Sequence, residues 1–223
     1  MNELFFNRLN RPCCCNLIII DNFYENPIDV RNFALKQKYL KVEKIPGLRT
    51  EGFATRDHYN KLQKIMSHLG GKIHFFDIEK KTSNGSFHYT TTKDNGMGWN
   101  HIDNDVPNNY NNNNNNKKIL KWAAIVYLTP NAPLSAGTGL FEFIDSTKDE
   151  EDTVFLKNGT ELKKHSYDKT KWRVTDRIAN IFNRLVIYKS TNYHSALDYF
   201  GTNINDGRLS QIFFFTTDTT MSF

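Results

Sequence analysis

Cysteines and long apolar runs are scarce in this chain of 223 residues. Cysteine occurs only at the adjacent positions Cys13, Cys14 and Cys15, which gives neither a disulfide framework nor a known zinc spacing. We interpret them as reduced residues entering a strand. No apolar run approaches the roughly 20 residues that cross a bilayer, and residues 1–12 make a poor signal peptide. The sequence therefore predicts a soluble protein in the cytoplasm or another intracellular compartment, with no membrane partner.

Long blocks of basic residues are absent as well. The chain has 29 Lys and Arg against 24 Asp and Glu, a formal net charge of +5, with the basic residues dispersed. A mildly basic balance can favour acidic partners, but without a basic patch the sequence gives no support to nucleic-acid binding. Aromatic residues, in contrast, make up 13% of the chain. They suit the faces of packed β-sheets, and the length allows one sizeable core.

The N-terminal part predicts one strand and two helices. Residues 16–23 are an apolar run typical of a buried strand. Asn26 suits the N-cap and Pro27 the first position of a helix. A second helix is predicted over residues 59–69, because Leu62, Ile65, Met66 and Leu69 share one face and two glycines follow.

Beyond residue 71 the pattern is one strand after another. Residues 149–152 are acidic and predict an exposed loop. Within an insertion at residues 108–118, residues 111–116 are all asparagine, a composition that buries too little apolar surface to order itself. This tract is interpreted as a mobile lid or as a solvated repeat expansion. The predicted strands are 72–78, 86–92, 119–128, 139–144, 153–156, 173–182, 185–189 and 209–216.

The segment from Gly98 to Asp103 predicts a metal site. On an extended strand, residues i and i+2 point to the same face, so His101 and Asp103 offer an imidazole and a carboxylate to one point. A third ligand would complete a facial triad of two histidines and one carboxylate, which leaves positions open on Fe(II). Our candidate is His194, in a polar cluster after a predicted strand; the alternative is an exposed loop histidine.

Arg208 opens an apolar strand, where an unpaired charge is costly. A guanidinium binds a carboxylate through two parallel hydrogen bonds, which lysine cannot do. Ser210 follows at i+2 and can donate one more hydrogen bond. The alternative for Arg208 is a salt bridge to Asp206 or Asp198.

Read in order, these pieces resemble the Fe(II)/2-oxoglutarate-dependent oxygenase superfamily, in its prolyl-hydroxylase-like branch. The resemblance covers residues 85–216, with His-x-Asp, a long gap, His, and Arg-x-Ser on a following strand. Segments 121–128, 136–141 and 183–188 are similar to the family's strands and glycine turn. It implies an α+β fold with a double-stranded β-helix core, a jelly roll related to the cupins. Residues 1–223 are then one domain, in which residues 1–84 form a strand and helices packed on one sheet.

The resemblance also implies cofactors and further site residues. His101, Asp103 and His194 would bind Fe(II), and Arg208 and Ser210 the distal carboxylate of 2-oxoglutarate. Tyr127 and Tyr89 are then candidates to contact the same co-substrate, the first being otherwise a core aromatic. O2 is the oxidant and ascorbate a possible reductant; the products are succinate, CO2 and a hydroxylated substrate. Trp99, Trp122 and Phe141 are candidate pocket walls or simple core residues.

A Pro-Gly-x-Arg-Thr segment at residues 46–50 resembles a poorly characterised branch of the superfamily. Arg49 would then reach the rim of the site and bind substrate together with Trp99; the alternative is a surface arginine that tethers a loop. Because Asp103 is kept, hydroxylation rather than halogenation is expected. Phe214 stands where nucleic-acid demethylases carry a second arginine, which argues against that activity.

Three functions are compatible with these residues. The first is a dioxygenase that hydroxylates a peptidyl or free amino acid or another small metabolite. The second is a catalytically silent jelly-roll module that binds a ligand or partner. The third is a zinc hydrolase using the same triad, which has no obvious general base and leaves Arg208 without a role. The sequence does not identify the substrate or the oligomeric state.

Overall fold

A β-rich core with two N-terminal helices is formed by the described residues of the computed structural model, 15–43, 45–69, 71–79, 82–96, 98–103, 119–144 and 165–218. The helices are α1 (Pro27–Leu35) and α2 (Arg56–His68). The strands are β1 (Leu17–Ile20), β2 (Leu48–Arg49), β3 (Ile73–Phe75), β4 (Phe87–Thr90), β5 (Ile119–Tyr127), β6 (Thr138–Phe143), β7 (Trp172–Ile178), β8 (Leu185–Lys189), β9 (Tyr193–Ala196) and β10 (Arg208–Asp218).

Two antiparallel sheets face each other. The large sheet has the order β1-β8-β5-β10-β4-β2, with β3 also paired to β10, and the small sheet has the order β7-β6-β9. Apolar residues from both inner faces pack between the sheets. This arrangement, with helices on the outer face of the large sheet, confirms the predicted double-stranded β-helix core. The buried residues between the sheets are Ala123, Ile125, Tyr127, Leu140, Ile178, Val186, Tyr188, Ile212 and Phe214.

Strand β10 lies near the middle of the large sheet and shows how period-two alternation divides the molecule. Leu209 and Phe213 point to the helical layer, where they pack with Leu62 and Met66. Arg208, Ile212 and Phe214 point to the small sheet and line a cavity between the layers. Alternation therefore gives the strand one structural face and one face available for chemistry.

Helix α1 begins at the predicted residue, but the predicted N-cap bond is absent and the helix is held by a contact that the sequence did not predict. Asn26 occupies the N-cap position without a side-chain capping bond, because its backbone is outside the extended conformation typical of caps. Ala34 is fully buried against the sheet. The unpredicted anchor is Arg31, whose Nη1 donates to the Leu128 carbonyl (2.8 Å) and whose Nη2 donates to the Asn205 carbonyl (2.6 Å).

Helix α2 begins three residues earlier than predicted, because a capping box extends its first turn. The Thr55 hydroxyl accepts the His58 backbone N–H, and the His58 Nδ1 accepts the Thr55 backbone N–H. Histidine replaces the usual glutamate of this motif, so the sequence carries no familiar signal for it. Leu62 and Met66 are fully buried, as the predicted apolar face requires.

Protonation of His58 is expected to destabilise the protein. Burial lowers the pKa of His58 to about 4 from its ordinary 6.5, and its Nδ1 already accepts the Thr55 N–H at 3.1 Å. Since the unfolded chain binds this proton more strongly, the stabilisation is complete above about pH 6.5 and is lost as the pH falls towards 4. Denaturant unfolding at several pH values should show that the free energy of unfolding falls less between pH 6.5 and 4 in His58→Gln than in the wild type. Equal losses would contradict the assignment.

The N-terminal strand differs from its prediction. Instead of being buried, β1 is the edge of the large sheet, paired only with β8 among the described strands, and Ile19 is 44% exposed. A continuous apolar run cannot by itself distinguish a central strand from an edge strand. The predictions for Cys13, Cys14, the acidic loop, the asparagine tract and the strand at 153–156 lie outside the described residues. Within the described residues, no helix has the length and apolarity needed to span a bilayer.

Candidate metal centre

Three side chains from distant parts of the chain converge at the cavity. The Nε2 atom of His194 lies 3.2 Å from Oδ2 of Asp103, and the Nε2 atom of His101 lies 3.9 Å from Oδ1 of the same carboxylate. One ligand atom from each of the three residues lies within 4.8 Å of the others. The structure thus brings together the His-x-Asp pair and the distal histidine that the sequence singled out.

Backbone pairing produces this convergence. His101 and His194 form an antiparallel bridge, with N···O distances of 3.1 and 2.9 Å in the two directions. The Asp103 N–H donates to the Ser190 carbonyl at 2.9 Å. His194 lies within β9, a strand absent from the sequence prediction because its four residues are short of apolar pattern. Both histidines are therefore fixed by main-chain bonds rather than carried on a free loop.

Hydrogen bonds set which nitrogen each imidazole presents. Nδ1 of His101 lies 2.9 Å from the Trp99 carbonyl, and Nδ1 of His194 lies 3.0 Å from the Asn192 carbonyl. A carbonyl oxygen can only accept a hydrogen bond, so both Nδ1 atoms carry the ring hydrogen. When the rings are neutral, each Nε2 atom therefore has a free lone pair, and both Nε2 atoms face the Asp103 carboxylate. Such backbone contacts are the usual way in which a metal-binding histidine is oriented.

The electrostatics of the three groups suit a cation. Burial, and then the charge of His194, lowers the pKa of His101 to about 4, so that ring is neutral at pH 7. Burial raises the pKa of Asp103, but the two imidazoles outweigh it and the pKa lies below its usual range. Burial lowers the pKa of His194, and the Asp103 carboxylate reverses this and holds it above its ordinary value. The Asp103 carboxylate is therefore ionised at neutral pH.

The donor set fits a six-coordinate divalent metal. Bonds of about 2.1 Å at right angles would place neighbouring ligand atoms about 3 Å apart, close to the 3.2 Å between His194 and Asp103. The contact between His101 and Asp103 is wider, at 3.9 Å. Two imidazole nitrogens and one carboxylate oxygen would leave other coordination positions of such a metal open.

Arg208 extends into the same cavity and is 4% exposed. Its Nε donates to the Ala136 carbonyl at 3.1 Å, and its Nη2 lies 3.4 Å from both the Gly137 carbonyl and the Thr138 hydroxyl oxygen. Nη1 takes part in none of these bonds. Among the described residues Arg208 forms no salt bridge with Asp206 or Asp198, whose carboxylates accept backbone N–H groups of their own loop. The held guanidinium presents a positive charge to a ligand.

Gly137 explains how the chain comes so near to Arg208. A Cβ at this position would lie 1.7 Å from the Ile178 carbonyl oxygen. Only glycine therefore allows the turn before β6 to pack against the neighbouring strand while its carbonyls meet the guanidinium. This is the glycine turn that the sequence indicated.

The predicted co-substrate contacts occupy different positions around Arg208. The Tyr127 ring lies 5.4 Å from the guanidinium carbon, and its hydroxyl donates to Thr138 at 2.7 Å. Ser210 is buried two residues along β10 and its hydroxyl lies 3.4 Å from the His88 carbonyl. Neither side chain lines the cavity, and of the two only Tyr127 has a described contact with Arg208.

Tyr89 and two candidate walls point elsewhere. Tyr89 packs edge-to-face on Tyr39 in the helical layer, with ring centroids 5.1 Å apart. Trp122 is fully buried in that layer and donates to Thr217, and Phe141 does not line the cavity. None of the three lines the cavity, because their strands turn the opposite faces towards it; for Trp122 and Phe141 this leaves the alternative of residues that pack outside the pocket.

Arg49 and Trp99, the candidate substrate residues, both line the cavity. The cavity has a volume of about 320 Å³. Sequence reasoning missed three other lining residues, His88, Tyr188 and Tyr199. For His88 the relevant information is the strand register, because His88 stands opposite Ser210 in the β4–β10 pair, and this register cannot be read from the sequence.

Comparison with known proteins agrees with this architecture. Residues 13–215 match the family described as "Family of unknown function (DUF6445)", and no curated protein matches. HygX from Streptomyces hygroscopicus with nickel, 2-oxoglutarate and hygromycin B bound aligns with a TM-score of 0.55 at 8% identity, over 97% of this chain and 87% of that one. HygX with nickel and 2-oxoglutarate bound gives 0.54 at 9% identity and the same coverage.

A prolyl hydroxylase from Trichoplax adhaerens, in complex with a hypoxia inducible factor peptide fragment, aligns at 15% identity with a TM-score of 0.49. It covers 96% of this chain and 93% of its own. The two HygX structures confirm, at the level of fold, the resemblance drawn from the sequence motifs. The match over residues 13–215 shows that the chain belongs to the DUF6445 family, a family of unknown function.

Proposed function

We propose that the protein is an Fe(II)- and 2-oxoglutarate-dependent dioxygenase that hydroxylates a small molecule or a peptidyl or free amino acid. The observation that carries the proposal is the placement of Arg208 and the His101–Asp103–His194 cluster in one cavity. HygX, which shares the fold, has been crystallised with nickel and 2-oxoglutarate. A metal triad and a guanidinium together are what a chelating dicarboxylate requires.

Each residue has a defined task in this proposal. His101, Asp103 and His194 would hold the iron through Nε2, a carboxylate oxygen and Nε2. Arg208 would bind the distal carboxylate of 2-oxoglutarate through Nη1, while the carbonyls of Ala136 and Gly137 fix the guanidinium plane. When bound, iron and 2-oxoglutarate supply the oxidising chemistry that consumes O2 and yields succinate and CO2.

The cavity walls would keep water away from the reacting centre. Ile212 and Phe214 of β10 and Ala123 and Ile125 of β5 line the floor of the cavity. Apolar walls strengthen the electrostatic contacts of Arg208 and of the triad, because a low local dielectric screens them less. Substrate would approach over Trp99, beside His101.

A zinc hydrolase is disfavoured by the composition of the cavity. Asp103 is its only lining carboxylate among the described residues, and as a metal ligand it cannot also serve as a separate general base. That chemistry would also leave the buried Arg208 without a substrate group to bind.

Succinate release tests the proposal directly. Purified protein supplied with Fe(II), 2-oxoglutarate, O2 and ascorbate is expected to release succinate, measured by mass spectrometry, and chelation of the metal should abolish release. An anaerobic sample is the control for non-enzymatic decarboxylation. Binding of 2-oxoglutarate without turnover, across a panel of amino acids and peptides, would instead identify a silent binding module. Failure to bind it at all would refute the proposal.

A further inference from the structure

We propose that Arg49 forms a second anion-binding position in the cavity, which receives a carboxylate of the primary substrate while Arg208 binds 2-oxoglutarate. The inference rests on the proposed function and adds the chemical class of its substrate. That class is a small carboxylic acid with an apolar body.

Arg49 is held in place on both sides. Its backbone N–H and carbonyl are bridged to Leu40, with N···O distances of 2.9 and 2.8 Å, and on its other edge it stands opposite His88 in the β2–β4 pair. The preceding turn is fixed as well, because the Pro46 carbonyl lies 2.6 Å from Nε2 of His88. Gly47 has φ +70° and packs where a Cβ would meet the Tyr89 carbonyl at 2.0 Å. The segment that carries Arg49 is thus fixed by hydrogen bonds and close packing at the edge of the cavity.

The two arginines reach the cavity from different strands. Arg208 begins β10, and Arg49 lies in β2, which is two strands away in the order β10-β4-β2. Two strand spacings separate their backbones by about 10 Å. Arg208 is bound to carbonyls of the turn before β6, whereas Arg49 is bridged through its backbone to Leu40. Both line the cavity, so each can receive a different anionic group.

Arg49 lines the same cavity as the His101–Asp103–His194 cluster. A substrate group bound by Arg49 would therefore be near the metal, where a C–H bond must be placed to react.

The described lining of the cavity carries two guanidinium groups and one carboxylate. Arg49, Arg208 and Asp103 are the charged lining side chains in the described part of the chain, since burial, aided by both arginines, lowers the pKa of His88 to about 3 and keeps it neutral. A guanidinium that lines a cavity can bind a carboxylate of a ligand through two parallel hydrogen bonds.

The remaining walls describe the rest of the substrate. Ile45, Ile102, Trp99 and Tyr199 give the mouth of the cavity an apolar and aromatic lining. A volume of about 320 Å³ is at the lower end of the roughly 300–1,000 Å³ of ligand clefts, and 2-oxoglutarate must share it. The space therefore fits a compact carboxylic acid with an apolar or aromatic body.

A matched pair of probes tests the second position. The protein is loaded with Mn(II) and 2-oxoglutarate, and the binding of N-acetyl-L-phenylalanine and of its uncharged amide is measured by the paramagnetic relaxation of the probe protons. We expect the carboxylate to bind at least about tenfold more tightly than the amide, as a charge-assisted pair implies. Arg49→Gln should remove this preference. Arg49→Lys, which keeps the charge, should retain part of it, and the exposed Arg56→Gln should leave it intact.

Each result decides between the alternatives. Equal binding of acid and amide, or no binding of either, would overturn the inference. So would an Arg49→Gln variant that loses 2-oxoglutarate as strongly as Arg208→Gln, since Arg49 would then belong to the co-substrate. If the wild type does not bind 2-oxoglutarate but still selects the acid through Arg49, the second position stands and the proposed dioxygenase function fails. Thermal unfolding of each variant shows that the differences do not come from misfolding.

Discussion

Replacing His194 with alanine is expected to lower the affinity for Fe(II) or Mn(II) by more than about 100-fold, since even the loss of a residue that only supports a metal ligand costs 10- to 100-fold. His194 is the most buried member of the triad and makes the shortest contact with Asp103. Without its imidazole, two ligand side chains remain and the metal loses one face of its coordination. Metal-dependent succinate release should fall to background, and titration of Mn(II) followed by electron paramagnetic resonance measures the binding loss.

His74 offers a matched control for this substitution. Its Nε2 lies 3.1 Å from Oδ2 of Asp218, so it is also a histidine paired with a carboxylate, but it lies on β3, away from the cavity. His74→Ala should leave Mn(II) affinity unchanged. If His194→Ala retained metal binding equal to that of His74→Ala, the assignment of the triad would be wrong.

Replacing Arg208 with glutamine is expected to raise the KM for 2-oxoglutarate about 30-fold or more, because truncating one partner of a buried charge pair costs about 2 kcal/mol or more. Metal affinity should be unchanged, since Arg208 contacts the turn before β6 and not the triad. Steady-state kinetics and direct titration of 2-oxoglutarate measure the effect. Arg208→Lys should recover little, because an ammonium cannot replace the planar guanidinium between two carbonyls and a ligand.

Arg173→Gln is the control for Arg208. Arg173 donates to Glu142 at 2.7 Å on the surface of the small sheet, with its side chain 66% exposed, and it does not line the cavity; such surface ion pairs contribute little to stability. It should leave the KM for 2-oxoglutarate unchanged. An Arg208→Gln protein that folds normally and has the wild-type KM would exclude Arg208 from the co-substrate site.

Local sequence pattern is sufficient to identify the candidate metal ligands. His101 and Asp103 share a face because alternation along an extended chain is a property of the backbone itself. Residue chemistry also marks Arg208, since a guanidinium at the start of a buried strand requires a partner. In the described residues these three side chains and His194 line one cavity.

Alternation along a strand shows which side chains share a face, but it does not show whether that face meets the helices or the cavity. Tyr89 is predicted to contact the co-substrate, yet it packs under the helices, and the neighbouring His88 lines the cavity instead. Trp122 is a core residue, the second of its two sequence interpretations, for the same reason. Which face of a strand meets the helices is decided by the packing of α1 and α2 on the large sheet, and no short window of sequence contains that information.

The sequence by itself indicated the candidate ligands and the guanidinium of Arg208, because strand periodicity and ligand chemistry are local, and its resemblance to the oxygenase superfamily indicated the type of fold. Only the tertiary structure decided how these parts meet. The bridge between His101 and His194 joins segments far apart in the chain, and Arg49 reaches the cavity because a two-residue strand pairs with β4 at the sheet edge. Such contacts depend on the register of distant strands, which is set by the packing of the whole core.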